Sequence, residues 1–195
     1  MRTANIKRDT RETQIQLTLN LDGTGRSGVS TGVGFLDHML ELFARHGDFD
    51  LDLTCRGDTQ VDFHHSVEDS GICLGRAFAE ALGDKRGITR YGQFLLPMDE
   101  TLVLCAVALS GRDYLGWAVD LPARKVGDFD TELAKEFWLG FVRNCPGSVH
   151  IRQLAGENTH HILEAVFKGM GRALKMAAAP DEKHRDEIPS TKGVL

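Results

Sequence analysis

Three observations predict an α+β fold made from one supersecondary unit used twice. The pattern His-His-x-x-Glu occurs at His64–Glu68 and again at His160–Glu164. Other matches keep their order around it: Gly75-Arg76-Ala77 with Gly171-Arg172-Ala173, Ala81 with Ala177, and upstream Glu12-Thr13 with Glu100-Thr101, Leu21 with Leu109 and Gly23 with Gly111. Apolar spacings of period 2 and period 3.6 then follow one another in the same sequence in both halves, which gives each a β-β-α-β-α outline. The halves cover about 1–92 and 93–195. They are expected to share one core as two antiparallel-rich sheets, with helices packed between them or on one face.

In the first half, residues 14–21 alternate polar and apolar side chains, as a half-buried strand does. Asp22-Gly23-Thr24-Gly25 signals a turn, and Val29 to Thr31 a short return strand. Leu36, Met39, Leu40 and Phe43 share one face of a helix that Gly47 stops. Phe49, Leu51, Leu53 and Cys55 alternate again. Gly57-Asp58 marks a turn, after which a helix runs from His64 to about Leu82.

The second half repeats this order. Leu102 to Leu109 is apolar throughout, which predicts cover on both faces of the strand. Tyr114 to Leu121 reads as a strand, and Asp130 and Thr131 as N-caps of a helix that ends near Asn144, before Pro146-Gly147. Val149 to Leu154 is the next strand and His161 to Ala178 the last helix. The charged segment from Pro180 to Arg185 reads as a mobile tail.

Composition narrows the class. A net charge of −5 argues weakly against a nucleic-acid partner, since no basic face dominates. Met1-Arg2-Thr3-Ala4-Asn5 lacks the apolar run of a signal peptide, and no stretch approaches the ~20 apolar residues of a spanning helix. Cys55, Cys73, Cys105 and Cys145 are far apart in sequence and read as reduced thiols of a cytoplasmic chain.

The doublets carry the chemistry. On a helix, Glu68 shares a face with His64 or His65, and Glu164 with His160 or His161. Adjacent imidazoles diverge by roughly 100°, so the two members of a doublet suit different ions. His38 lies on the first helix, and the repeat puts Glu136 at the mirrored place. The candidate ligands are therefore His38, His64, His65 and Glu68 in one half, and Glu136, His160, His161 and Glu164 in the other. Imidazole with carboxylate and no thiolate suits Mn, Fe or Zn. Asp62 and Glu157-Asn158 precede the doublets as orienting groups or turn residues. Arg90, Arg112, Lys168 and Lys192 are candidate cations for a phosphate, and Ser190-Thr191 adds hydroxyls beside the last of them.

Phe35-Leu36-Asp37-His38-Met39, Asp62-x-His64-His65-x-x-Glu68-Asp69, Gly156-Glu157-Asn158-x-His160-His161-x-x-Glu164 and Pro189-Ser190-Thr191-Lys192-Gly193-Val194-Leu195 resemble the signature of imidazoleglycerol-phosphate dehydratases. The resemblance spans about Ile6 to Leu195. It implies a hydro-lyase of histidine biosynthesis that converts imidazole glycerol phosphate to imidazole acetol phosphate. It also implies two Mn(II) ions per active site, sites at subunit interfaces and a homo-oligomeric shell of 24 subunits. Arg90, Arg112, Lys168, Ser190 and Lys192 match its phosphate-binding positions, Glu12 a glutamate near the leaving hydroxyl, and His46 a residue near substrate. Three positions depart from the family pattern: Glu136 replaces a His, Phe63 replaces a second Asp before the doublet, and Leu42 replaces a Gln that contacts substrate.

The implied reaction removes a proton from carbon with no adjacent carbonyl. Two ions on the ring nitrogens would favour an imidazolate, whose electrons expel the hydroxyl and give a diazafulvene-like intermediate. Glu12 is the candidate general acid. Two further readings use the same ligands: a dinuclear metallohydrolase acting on a phosphorylated small molecule, and a non-enzymatic shell assembled by metal.

Overall fold

The computed structural model describes residues 1–195. The first unit comprises β1 (Thr3–Asp9), β2 (Thr13–Asn20), β3 (Ser27–Ser30), α1 (Gly34–Gly47), β4 (Asp50–Gly57) and α2 (His64–Leu82). The second comprises β5 (Tyr91–Met98), β6 (Thr101–Ala108), β7 (Tyr114–Ala118), the short hairpin β8 (Lys125–Val126) and β9 (Phe129–Asp130), α3 (Leu133–Asn144), β10 (Ser148–Ala155) and α4 (Thr159–Ala178). The sheets run β1-β2-β4-β3 and β5-β6-β10-β7, and in each only the last pairing is parallel. This is the α+β duplication expected, with one strand more in each four-stranded sheet and the β8–β9 hairpin besides in the second unit. The sequence pattern does not announce β1 or β5, because the first is charged and the second is interrupted by Gly92 and Pro97.

Each sheet turns one face inward. Leu17 pairs with Leu53 and Leu19 with Leu51 in the first; Cys105 pairs with Ile151 and Val107 with Val149 in the second, and all eight are buried. Leu102, Leu104, Ala106 and Ala108 point the other way and are half-buried in the single chain, so the cover expected on that side of β6 is incomplete within it.

The helices form the layer between the sheets, and the halves exchange partners there: α1 packs on α4 and α2 on α3. Phe43, Phe78, Trp138 and Phe167, one from each helix, meet in an aromatic cluster with centroid separations of 5.1–6.0 Å. Burying one such ring contributes about 1.5–3 kcal/mol. Glycines set how closely the helices approach. Gly71 and Gly75 of α2 lie under the carbonyls of Phe137 and Phe141 of α3, and Gly171 of α4 lies under the carbonyl of Phe43 of α1. The repeated Gly-Arg-Ala thus marks both helix crossings.

Two local expectations are corrected. Asp130 lies in β9, and Thr131 donates its hydroxyl to the Ala123 carbonyl at 2.9 Å, so α3 starts without a side-chain cap. The segment after Pro180 is held in place: Pro180 bridges Ile88, Asp181 N donates to Gly87 O at 2.8 Å and Gly87 N to Glu187 O at 2.9 Å. No helix is long and apolar enough to cross a membrane.

Candidate active site

The start of α4 is prepared by Asn158, whose side chain accepts from the His160 and His161 amides at 3.0 and 3.2 Å. These are amides that a helix leaves without internal partners. Glu164 and Lys168 follow His160 one and two turns later on the same stripe. Glu164 Oε2 lies 3.1 Å from His160 Nε2 and 3.8 Å from His38 Nε2 on α1, while its Oε1 accepts from Lys168 Nζ at 2.5 Å. Ligand atoms of His38, His160 and Glu164 all lie within 4.8 Å of one another. Burial works against the charged Glu164, but Lys168 and His160 outweigh it and hold the carboxyl below its ordinary range. Phe35 packs edge-on to His160 with ring centroids 5.3 Å apart.

The start of α2 repeats the pattern with different supports. Asp62 accepts from the His64 amide at 2.7 Å, so it caps the helix backbone and does not orient an imidazole. His64 Nε2 faces Glu68 Oε2 at 3.7 Å. His65 Nδ1 instead donates to the carboxylate of Asp58 at 3.0–3.1 Å, which raises the affinity of His65 for a proton. Its Nε2 points outward, 3.8 Å from Glu12 Oε1. In the second half His161 Nδ1 donates to Glu100 at 2.9 Å, and its Nε2 lies 3.9 Å from Asp99. Glu100 is held down to about 2 by His161 and by the Asn158 amide.

Both doublets therefore splay as the helix geometry requires. Their rings are 6.2 and 6.4 Å apart, with interplanar angles of 83° in each. The first member turns to its own helix's glutamate. The second has Nδ1 held by a carboxylate from outside the helix, which leaves Nε2 free to ligate. Asp58 and Glu100 are the orienting groups that sequence spacing did not single out; only the Glu12–Glu100 repeat match hinted at one of them.

Glu136 follows the exchange of helices. Phe137 and Phe141 pass Gly71 and Gly75 in the same direction, so Glu136 stands toward the His64 end of α2, as His38 stands beside His160. No three-donor group in the chain includes it.

The candidate phosphate residues divide. Arg90, Arg112, Ser190 and Lys192 line one cavity of about 330 Å³ with Gly111 and Leu195. Arg90 holds the tail there by donating Nη1 to the Pro189 carbonyl at 2.7 Å, from a backbone with φ of 71°. Lys168 lies apart, bonded to Glu164. Half-buried His46 on α1 feels the positive charges of Lys168 and Arg172, and burial together with these charges makes it harder to protonate. Phe63 and His38 line a separate cavity with Phe35 and Phe129.

The imidazoleglycerol-phosphate dehydratase family model matches residues 31–174. The chain belongs to this family. The dehydratase of Pelobacter propionicus is 59% identical over 194 residues, covering 100% of this chain and 99% of that one. That of Xanthobacter autotrophicus is 54% identical over 195 residues, with 100% and 99% covered. Among solved structures, the dehydratase of Staphylococcus aureus superposes with a TM-score of 0.82 at 40% identity, covering 91% of this chain and 99% of that one. The Pyrococcus furiosus dehydratase in complex with (S)-C348 gives 0.85 at 39% identity, covering 97% and 100%. The two His-His-x-x-Glu units and the helix bearing His38 thus lie within the part of the chain that the dehydratase family model covers.

Proposed function

We propose that this chain works as the family's hydro-lyase, dehydrating imidazole glycerol phosphate to imidazole acetol phosphate in histidine biosynthesis, with two Mn(II) ions per active site. The observation that carries the metal reading is the meeting of His38, His160 and Glu164 donors within 4.8 Å, from two helices of different halves. Two nitrogens and a carboxylate oxygen fit Mn(II), and the four cysteines are buried elsewhere as free thiols. His64, His65, Glu68, His161 and Glu136 are the remaining ligand candidates. The outward Nε2 atoms of His65 and His161 suit ions completed by a second copy of the chain.

Bound ions would supply Lewis-acid stabilisation of negative charge on the substrate ring. The other tasks belong to this chain's residues. Glu12 protonates the departing hydroxyl as its C–O bond breaks, so that oxygen leaves as water and Glu12 is left as a carboxylate. Arg90, Arg112, Ser190 and Lys192 bind the phosphate and fix the reacting carbon chain, with Lys168 and His46 contributing from the α1·α4 crossing. The exposed apolar residues of the second sheet, among them Tyr91, Leu95 and Tyr114, support burial between copies in a homo-oligomer of 24 subunits. Buried unpaired cysteines support a cytoplasmic setting.

The test is dehydration of imidazole glycerol phosphate by metal-stripped protein, with and without added Mn(II). Activity absent after stripping and restored by Mn(II) is expected. Full turnover by the stripped protein would overturn the metal reading.

A further inference from the structure

Glu12 and Glu100 are equivalent in the repeat, as are the threonines that follow them, yet the two carboxylates are placed differently. In the second half Thr101 Oγ1 donates to Glu100 Oε1 at 3.1 Å. The same oxygen accepts the Asn158 amide at 3.0 Å, and the other accepts His161 Nδ1 at 2.9 Å. Glu100 is fully engaged. In the first half Thr13 Oγ1 turns away from Glu12 and donates to Asp69 Oδ2 at 2.5 Å. Asp69 Oδ1 in turn takes Arg8 Nη2 at 2.8 Å, and the Asp69 side chain is only 7% exposed. Glu12 keeps a carboxylate with no hydrogen bond, 56% exposed and 3.8 Å from His65 Nε2.

The backbone of Glu12 is nevertheless fixed from both sides. Its amide donates to Thr10 Oγ1 at 3.1 Å, and its carbonyl accepts the Asp58 amide at 3.0 Å. The cause of the difference lies in substitutions and loop length. Arg8 stands opposite Ile15 as Leu96 stands opposite Val103, and Asp69 follows Glu68 as Ala165 follows Glu164. The ion pair of half-buried Arg8 with buried Asp69 is therefore replaced in the second half by two buried apolar residues, Leu96 and Ala165, and nothing there competes for the Thr101 hydroxyl. The loop into α2 spans 58–63 but the loop into α4 only 156–158. The longer loop folds back through Val61 N on Asp58 O and delivers the Asp58 carboxylate to His65. The shorter one leaves that task to Glu100.

We infer that the Arg8–Asp69–Thr13 node is a positioning device that, together with Asp58, keeps Glu12 free for proton transfer, while Glu100 has become a structural partner of His161. This rests on the reading of Glu12 as the acid. Asp69 and Thr13 are positioning residues: they act through the Glu12 backbone and touch no substrate.

The test compares Glu12→Gln, Glu100→Gln, Thr13→Val and Thr13→Ser in the Mn(II)-loaded assembly, reading kcat, KM and bound Mn(II) per chain. Glu12→Gln should lower kcat at least 100-fold and retain its metal. Glu100→Gln should lose bound Mn(II) on dilution and recover turnover when Mn(II) is in excess. Thr13→Val should lower kcat about tenfold with KM and metal content unchanged, and Thr13→Ser should restore it. An active Glu12→Gln would remove the underlying reading of the acid. An inactive Glu12→Gln together with a Thr13→Val that matches wild type, or a Glu100→Gln that loses kcat while keeping its metal, would overturn the positioning inference alone.

Discussion

Gly171 of α4 lies so close to Phe43 of α1 that a Cβ on it would stand 2.6 Å from the Phe43 carbonyl oxygen. The same crossing carries His38 and Glu164 against each other at 3.8 Å. A methyl group at Gly171 must push the helices apart, and overpacking of this kind costs about 1–3 kcal/mol. Gly171→Ala is expected to lower the denaturation midpoint and to weaken Mn(II) binding together. Calorimetry with metal titration checks this; a destabilised variant with unchanged metal affinity would separate the crossing from the site.

Asp58 holds His65 Nδ1 without approaching the outward Nε2. Such orienting carboxylates change metal affinity about 10–100-fold when removed. Asp58→Asn is expected to fall in that range by Mn(II) titration, with its melting temperature without metal near that of the parent. A metal affinity equal to the parent's would show that the His65 ring is held by other contacts.

Asp50 gives a pH dependence away from the site. Its carboxylate accepts from the Thr24 and Arg26 amides at 2.8 and 3.1 Å and from the Arg26 guanidinium at 3.1 Å. The Thr24 amide first, then Arg26, hold it well below the ordinary carboxylate range. A depressed folded value contributes stability that is fully present above the unfolded value of about 4 and is lost as pH falls through the folded one. Asp50→Asn is therefore expected to cost about 1 kcal/mol near neutral pH, the guanidinium part being screened by solvent, with the gap closing in acid. Urea midpoints across that range check it; a gap that widens in acid would have the wrong sign.

The helices, the inner strands and both histidine doublets were legible because their signals are local. Leu36, Met39, Leu40 and Phe43 define a helix face within three turns, and the splay of His160 from His161 follows from helical rotation alone. Strands β1 and β5 were not legible, since Lys7, Arg8 and Asp9 make the first charged and Gly92 and Pro97 interrupt the second. The partners of the second histidines were hidden for another reason. Asp58 reaches His65 only because residues 58–63 fold back, and Asp62, closer in sequence, is used up on the helix backbone. Lys168 reads as a phosphate cation by residue type, and the structure sets it against Glu164, apart from the cavity that Arg90, Arg112 and Lys192 line.

Lys192 tests the tail cavity. It lines the same cavity as Arg90, Arg112 and Ser190, and its own amide is held by Ser190 Oγ at 3.2 Å, so the loop keeps its shape without the ammonium group. Removing one cation from a phosphate contact lowers affinity by about 1.5–3 kcal/mol, the value of a hydrogen bond to a charged group. Lys192→Ala is expected to raise KM and the substrate Kd roughly 10–100-fold, with a smaller change in kcat and unchanged Mn(II) content. The affinity for a substrate analogue without phosphate should stay at the parent's value, because the lost interaction is with the phosphate alone. If KM and Kd both stay at the parent's values, Lys192 does not hold the phosphate, and the cavity's remaining cations, Arg90 and Arg112, carry the contact.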